Sequence, residues 1–364
     1  MTQNKEIIVH VITNFAGVGG AEMMLARLIQ KTERDFEHVI ISLIKTSEVY
    51  QSTLERCKSY YALDWNGVNS LQVIFRLRKL LSQFSPKSVQ CWMYHANILT
   101  SISMMGLKHP PKIFWGIHHS LSSPKEESLS TKTALVVSKF LARKPVGIIY
   151  CAHSSLTQHR QFGFQNQNST VIPNGVFLDN FKLNTKLHQP LVVGFAGRYH
   201  TAKGYPYLFE TMAKLKDEPI IFKIVGSGAS LNNDKVKTLF EKYQLDAAKV
   251  QLLDQISDMP NFYQSIDVFL MTSITEGFPN VLVEAMASGV PCISTDVGDA
   301  KYIVDNNEYI VKARDSHGLR NAILKYYNLS ENEKIELKEK SREKIEKKFS
   351  IDWVAMQYIK FWET

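Results

Sequence analysis

The segment VFLMTSITEGFPNVLVEAMASGVPCIS, residues 268–294, decides how this chain folds. Residues 268–272 form an apolar run of strand length, residues 291–294 form another, and a stretch of helix length separates them. Pro279 suits the first turn of that helix, where its missing N–H has no partner to lose, and Gly289 suits its end. Strand, helix, strand in this order is a βαβ unit, the building block of a parallel sheet.

The alternation continues outward in both directions. Residues 190–196, 220–225 and 250–253 read as further strands of the same series. An earlier series has strands at 7–12, 38–43, 88–92, 112–117 and 147–151, with helical stretches at 22–31 and 71–84 among them. Two such series imply an α/β protein of two Rossmann-like, doubly wound parallel-sheet domains facing a cleft. Ligands are expected at the carboxyl ends of the strands. The turn signal Pro173-Asn174-Gly175 and the polar stretch 180–189 mark the boundary. We place a first domain at 1–173 and a second at 174–350. Residues 330–348 read as a charged helix rich in Glu–Lys pairs. A short amphipathic segment follows, carrying Trp353, Met356, Tyr358, Phe361 and Trp362. An aromatic tail of this kind, 351–364, is expected to dock back across the first domain.

Composition agrees with two ordinary domains: 364 residues, 45% hydrophobic and 21% charged. Residues 1–6 are polar and lead straight into a strand-like run, without the basic start and longer apolar core of a signal peptide, so export is not expected. No run approaches the roughly 18 apolar residues of a membrane span. Cys57, Cys91, Cys151 and Cys292 show no CxxC spacing, and no His pair stands at metal-ligand distance. Free thiols in a reducing cytoplasm are expected, with no metal site. The net charge of +8 is uneven: residues 1–173 hold 19 Lys and Arg against 10 Asp and Glu, whereas residues 174–364 hold 24 against 25. A basic first half fits either an anionic partner, such as a membrane surface, or a generally solvated basic surface. No nucleic-acid-binding module is recognisable.

Five segments carry candidate chemistry. Asn14 to Glu22 follows the first strand and holds Gly17, Gly19 and Gly20. Such a loop either brings backbone to a phosphate at a helix N-terminus or simply turns tightly. Glu22 takes the sixth position of a dinucleotide fingerprint, where it would block close helix–strand packing. Gly197-Arg198 and Lys203-Gly204 place two cations between glycines at a strand end, where they could converge on one anion. Gly226, with Ser227 and Gly228, follows another strand and either passes close to a nucleotide or turns. In the segment quoted above, N–H groups near Asn280 and Val281 could bind phosphate, and Glu276 would precede the helix. Glu284 lies among apolar neighbours and needs a partner, either an ordinary cation or sugar hydroxyls. Finally, His118 and His119 follow the strand at 112–117, where a histidine could meet a developing charge. His95 and Asn97 are candidates for acceptor contacts.

Taken together, these segments resemble glycosyltransferase family 4, the retaining family with the GT-B architecture. The specific element is the E-x7-E motif, here Glu276 to Glu284; the Arg198/Lys203 pair and the Gly19-Gly20-Ala-Glu22 loop also match. The resemblance runs along nearly the whole chain, strongest in 190–305 and loose in 45–110. It implies that Glu276, with Gly277 and Phe278, faces the donor sugar and that Glu284 faces the ribose. Arg198 and Lys203 would hold the diphosphate, helped by N–H groups at Gly19 and at Asn280 and Val281. His118 would lie beside the anomeric carbon, and Ile256 would mark where main chain meets the base. Ser227 departs from the family, many of whose members carry an acid there.

The expected activity is that of a retaining hexosyltransferase. Arg198, Lys203 and a helix N-terminus would stabilise the leaving diphosphate, without metal or cofactor, since no DxD-type motif is present. Lacking an evident enzymic nucleophile, the reaction would proceed by front-face attack. A UDP-hexose or UDP-N-acetylhexosamine is the leading donor, ahead of GDP-mannose. The expected acceptor is a glycan or lipid-linked oligosaccharide for a bacterial surface polysaccharide, such as lipopolysaccharide, at the cytoplasmic face of a membrane. A non-hydrolysing nucleotide-sugar epimerase and a non-catalytic nucleotide-sugar-binding subunit are the alternatives.

Overall fold

In the computed structural model, which describes residues 5–121, 124 and 127–364, the chain divides into two units. The polar start at residues 1–4 lies outside the described residues. One unit comprises Met1–Gly175 together with Ile351–Thr364, and the other comprises Val176–Ser350. The division falls two residues beyond the boundary read from the turn signal, for a local reason. The Gly175 N–H reaches Met24 Sδ at 3.2 Å, and its carbonyl accepts from Arg27 at 2.8 Å. The next N–H, that of Val176, donates instead to Phe349 O at 2.9 Å, within the second unit.

The first unit alternates β1 (Glu6–Ile12), α1 (Gly20–Thr32), β2 (Phe36–Ser42), α2 (Gln51–Leu54) and β3 (Ser59–Ala62). It continues with α3 (Ser70–Phe84), β4 (Ser88–Trp92), α4 (Tyr94–Ser103), β5 (Lys112–Ile117) and α5 (Leu129–Leu141). It then runs through β6 (Gly147–Tyr150), α6 (His153–Phe162) and β7 (Ser169–Val171). Its seven strands pair in the order β3-β2-β1-β4-β5-β6-β7, all parallel. Helices cover such a sheet on both faces, so central strands read as continuous apolar runs: Ile8, Val9, Val11 and Ile12 of β1 are all buried.

The second unit holds β8 (Leu191–Ala196), α7 (Tyr205–Ala213), β9 (Ile220–Val225), α8 (Asp234–Lys242) and β10 (Val250–Leu252). Next come α9 (Met259–Gln264), β11 (Val268–Met271), α10 (Asn280–Ala287), β12 (Cys292–Thr295) and α11 (Ala300–Val304). It closes with β13 (Ile310–Val311), α12 (Ser316–Tyr327) and α13 (Glu331–Lys348). Its six strands run parallel in the order β10-β9-β8-β11-β12-β13. The strand order therefore reverses between β1 and β4 in one unit and between β8 and β11 in the other. In doubly wound sheets these switch points leave crevices at the strand carboxyl ends.

Three strands escape the sequence pattern: β3, β7 and β13. Each lies at a sheet edge and is short, so half-exposed side chains break the apolar run on which the reading relies. Pro279 is likewise one residue off. It is the N-cap of α10 rather than part of its first turn, and its carbonyl accepts from Leu282 N at 3.1 Å. Ser330 caps α13 with a reciprocal capping box to Glu333.

The last helix, α14 (Ile351–Trp362), belongs to the first unit. Tyr358 stacks on Trp92 with ring centroids 5.9 Å apart, and Phe361 meets Phe114 at 5.3 Å. The Trp362 indole N–H donates to Gln90 Oε1 at 3.0 Å. Gly147 makes room for this packing, because a Cβ there would lie 2.3 Å from the Phe361 ring.

Below these rings runs a buried polar chain. Trp92 Nε1 lies 3.4 Å from His10 Nδ1, His10 Nε2 lies 3.0 Å from His38 Nδ1, and His38 Nε2 lies 3.0 Å from Thr32 Oγ1. An indole N–H can only donate, so His10 accepts at Nδ1 and donates from Nε2. His38 then accepts at Nδ1 and donates to Thr32, whose hydroxyl donates to Leu28 O at 2.7 Å. Every bond is made with both imidazoles neutral, and burial lowers the pKa of each, that of His38 to about 4.

Candidate active site

Two loops meet at the switch point of the second unit. The loop after β8 contains the single turn Thr201–Lys203 and the left-handed Gly204, φ +67°. A Cβ on Gly204 would lie 2.0 Å from Thr272 O in the loop after β11, so only glycine permits this approach. Thr272 Oγ1 donates to Lys203 O at 2.9 Å and Ile274 N to Ala202 O at 2.7 Å. These bonds stitch the loops together and carry Lys203 to Glu276, Nζ to Oε1, at 2.5 Å. Ser273 Oγ donates to the same oxygen at 2.7 Å. The two charged side chains are 24% and 14% exposed, shielded enough to strengthen the pair yet open to an incoming anion. Arg198 stands exposed two residues beyond β8 and makes no ion pair among the described residues.

The loop after β9 packs on the same segment. Gly226, φ +142°, leaves room where a Cβ would sit 2.2 Å from Gly197 O. Tyr199 N donates to Ser227 O at 2.8 Å, which ties the backbone of Ser227 to the Arg198 loop. Gly228 N donates to Asp254 Oδ1 at 2.9 Å, and Gly226 N to Asp254 O at 2.7 Å. Asp254 thereby holds the loop after β10, which also carries the half-buried Ile256. A further loop, after β12, rests on Gly277: a Cβ on Gly298 would lie 2.3 Å from Gly277 O, and Asp299 N donates there at 3.1 Å. Thr272, Ser273, Asp254 and Gly298 were not singled out from sequence. Only Ser273, three residues before Glu276, carried a local signal.

Around α10 the side chains separate by environment. The Phe278 ring is buried and meets Phe349 at 6.0 Å, so the backbone of this residue, not its ring, belongs to the exposed loop. Asn280 and Val281 open the helix and are half-buried. Glu284 Oε2 accepts from the Tyr263 hydroxyl at 3.4 Å, and burial together with this carboxylate pushes the phenol pKa well up. Strand carboxyl ends thus bring Arg198, Lys203, Gly226, Glu276 and Gly277 together on adjoining loops. A separate groove of about 890 Å³, beside Pro190, Lys249 and Tyr327, lies at the amino ends of the same strands and shares none of these residues.

In the first unit the glycine loop opens α1, with Gly19 as N-cap. The half-buried Glu22 folds back, so that a Cβ on Gly19 would lie 2.5 Å from its Oε2. Burial raises the Glu22 pKa, while its own backbone N–H works the other way. The Glu22 side chain therefore folds back over the first turn of α1, beside Gly19. It does not hold α1 off the sheet, since Ala21, Met24 and Leu25 are buried beside it.

His118 follows β5 and stacks on Trp92 with centroids 5.0 Å apart. Both ring nitrogens are buried without a hydrogen-bond partner among the described residues. Burial lowers its pKa to about 4, against an opposing contribution from Asn174, so the ring is neutral at pH 7. His119 is held by Glu127 at 2.8 Å, and His95 by Ser130 at 3.1 Å. Asn97 lies in α4 and is fully buried, with both amide atoms unpaired among the described residues. The structure thus separates the acceptor candidates: His95 is part-exposed, whereas the helical turn of α4 points Asn97 inward.

Two parallel doubly wound units in one chain make the GT-B fold. The family model described as Glycosyltransferase Family 4 matches residues 18–180, and that for Glycosyl transferases group 1 matches residues 190–328. The chain belongs to this glycosyltransferase family. It is 30% identical over 188 residues to the Staphylococcus aureus capsular polysaccharide biosynthesis glycosyltransferase CapM, covering 50% of this chain and 49% of that one. It is 26% identical over 232 residues to an Escherichia coli UDP-Gal:alpha-D-GlcNAc-diphosphoundecaprenol alpha-1,3-galactosyltransferase, covering 57% and 59%. The chain thus spans about half the length of the curated relatives it matches. Anabaena Alr3699/HepE, solved in complex with UDP, superposes with a TM-score of 0.82 at 18% identity, covering 98% of both chains.

Proposed function

We propose that this chain transfers a hexose or N-acetylhexosamine from a nucleotide diphosphate donor to a glycan or lipid-linked oligosaccharide, with retention and without a metal. The observation that carries the reading is the Lys203–Glu276 pair at the β8/β11 switch point, beside the exposed Arg198. In this mechanism the bond between the anomeric carbon and the diphosphate oxygen breaks as the acceptor oxygen bonds to the same face. The acceptor proton passes to the departing phosphate oxygen. Lys203 and Arg198 meet the negative charge as it appears on the diphosphate, where preplaced cations lower the barrier most. Glu276 orients Lys203 and accepts from donor hydroxyls, and Glu284, beside Tyr263, takes the ribose. The relatives above that carry UDP or UDP-galactose in their names support a uridine nucleotide, and their capsular and diphosphoundecaprenol roles support a surface-polysaccharide acceptor. Work at the cytoplasmic face of a membrane, with peripheral attachment through the basic first unit, completes the reading.

The test is a thermal-shift screen of UDP- and GDP-sugars, followed by transfer assays with the stabilising donor, with and without EDTA. Transfer that survives EDTA and yields the anomer of the donor, read by proton NMR, is expected. Isomerisation of the donor without acceptor, or tight binding without turnover, would overturn it.

A further inference from the structure

The His118 ring is aimed by packing rather than by hydrogen bonds. It follows β5 at the carboxyl end of a doubly wound sheet, where such folds meet their ligands. The second torsion of a histidine is broad, so the bonds of its nitrogens usually fix the ring plane. Here neither nitrogen has a hydrogen-bond partner among the described residues, and Asn174 approaches without completing a bond. What the ring does have is a stack on Trp92, with centroids 5.0 Å apart and planes 28° from parallel. Its nitrogens stay unspent while its plane is set.

Strand alternation explains which residues do this. Phe114 and Gly116 share one face of the sheet with Gln90 and Trp92 of β4 and with His10 of β1, and His118 continues the alternation. The same face receives α14, through Phe361 on Phe114, Trp362 on Gln90 and Tyr358 on Trp92. Gly116 keeps that face open beside the histidine: a Cβ there would lie 3.1 Å from Gln90 Nε2 and 3.7 Å from His118 Nε2. Trp92 is held at two points. Its indole N–H faces His10 Nδ1 at 3.4 Å, and Tyr358 stacks on it at 5.9 Å with planes 19° apart. Trp92 and Tyr358 are both fully buried, and the Tyr358 hydroxyl has no partner among the described residues. A buried phenol whose oxygen bonds nothing contributes the face of its ring.

We infer that Trp92 and Tyr358 are positioning residues of the transfer reaction: through the ring chain Tyr358–Trp92–His118, the C-terminal helix sets the plane in which His118 meets the sugar substrate. The inference rests on the glycosyltransferase reading above and extends it to buried residues that touch no substrate. A misplacement of about 1 Å at a reacting centre can cost about 10²-fold in rate, so a stack of modest stability can govern turnover.

The test is a double-mutant cycle on the full chain. It is read as steady-state release of UDP from UDP-galactose, UDP-glucose or UDP-N-acetylglucosamine, with an N-acetylglucosaminyl glycoside or water as acceptor. Trp92→Leu and Tyr358→Leu are each expected to lower kcat about tenfold or more, while the donor KM stays within about twofold. Tyr358→Leu, the smaller change, carries the cycle where Trp92→Leu does not fold. Trp92→Phe and Tyr358→Phe keep a flat ring and should stay within about threefold of wild type. In a His118→Ala background, Tyr358→Leu is expected to change kcat no further, because residues acting through one group are not additive. Phe361→Leu, on the same helix but against Phe114, separates packing from positioning. Its melting temperature should fall about as far as that of Tyr358→Leu, with kcat near wild type. Losses that multiply in the double variant, or a kcat loss in Phe361→Leu equal to that in Tyr358→Leu, would overturn the inference and leave the transferase reading intact. A wild-type chain that releases UDP from none of these donors would overturn that reading and the inference with it.

Discussion

Lys203 and Glu276 stand 73 residues apart in the chain and 2.5 Å apart in the fold. Each was legible singly, as a cation between glycines and as the first acid of an E-x7-E motif. That they pair was not, because the contact depends on β8 and β11 being neighbours. We expect Lys203→Ala and Arg198→Ala each to lower kcat more than about tenfold, equivalent to at least ~1.4 kcal/mol of barrier. Steady-state assays check this, with Lys325→Ala, an exposed cation of α12, as the control that leaves the rate unchanged. Gly204 makes a backbone prediction at the same scale. Gly204→Ala places a Cβ against the Thr272 carbonyl in a left-handed conformation, and is expected to cost about 2–4 kcal/mol in urea unfolding. Wild-type stability in that variant would mean that the two loops are not held as close as described. Asn97 shows the opposite limit of local reading. Its place after a strand suggested an exposed contact, and one turn of α4 buries it instead.

Helices and central strands were the most legible elements, because burial on one or both faces writes a period into the sequence. The apolar β4, β5 and β9 and the amphipathic α14 match their expected bounds, whereas the edge strands β3, β7 and β13 do not announce themselves. Composition marked α14 as a segment that must dock; where it docks depends on the cavity between Gln90, Trp92 and Phe114. Trp362→Ala removes the indole from that cavity and leaves Gln90 without its donor. It is expected to cost about 3–5 kcal/mol, read as a lower melting temperature of the first unit. Unchanged melting would show that α14 adds little to the fold.

Acid should affect the two units unequally. His10, His38 and His159 of the first unit are buried and neutral, with folded pKa values lowered, to about 4 for His38 and His159. The unfolded chain therefore takes up protons first as the pH falls below about 6.5, and stability drains away between there and about 4. His38 and His159 each remove on the order of 2 kcal/mol by pH 5, and His10 acts in the same direction. Calorimetry at pH 7 and pH 5 should show the transition of the first unit moving down more than that of the second; equal shifts would contradict the neutral-histidine chain. For the molecule as a whole, two parallel α/β units, the family motif and the concentration of positive charge in the first half are all written in the linear chain. Periodicity, glycine placement and composition are local properties, so they survive in a linear reading. Tertiary structure alone decided which loops meet at a switch point, that Glu22 folds over its own helix N-terminus, and which outward faces stay uncovered. Those are questions of strand order and of which side chain reaches which through space, and contacts between residues far apart in the chain leave no period in it.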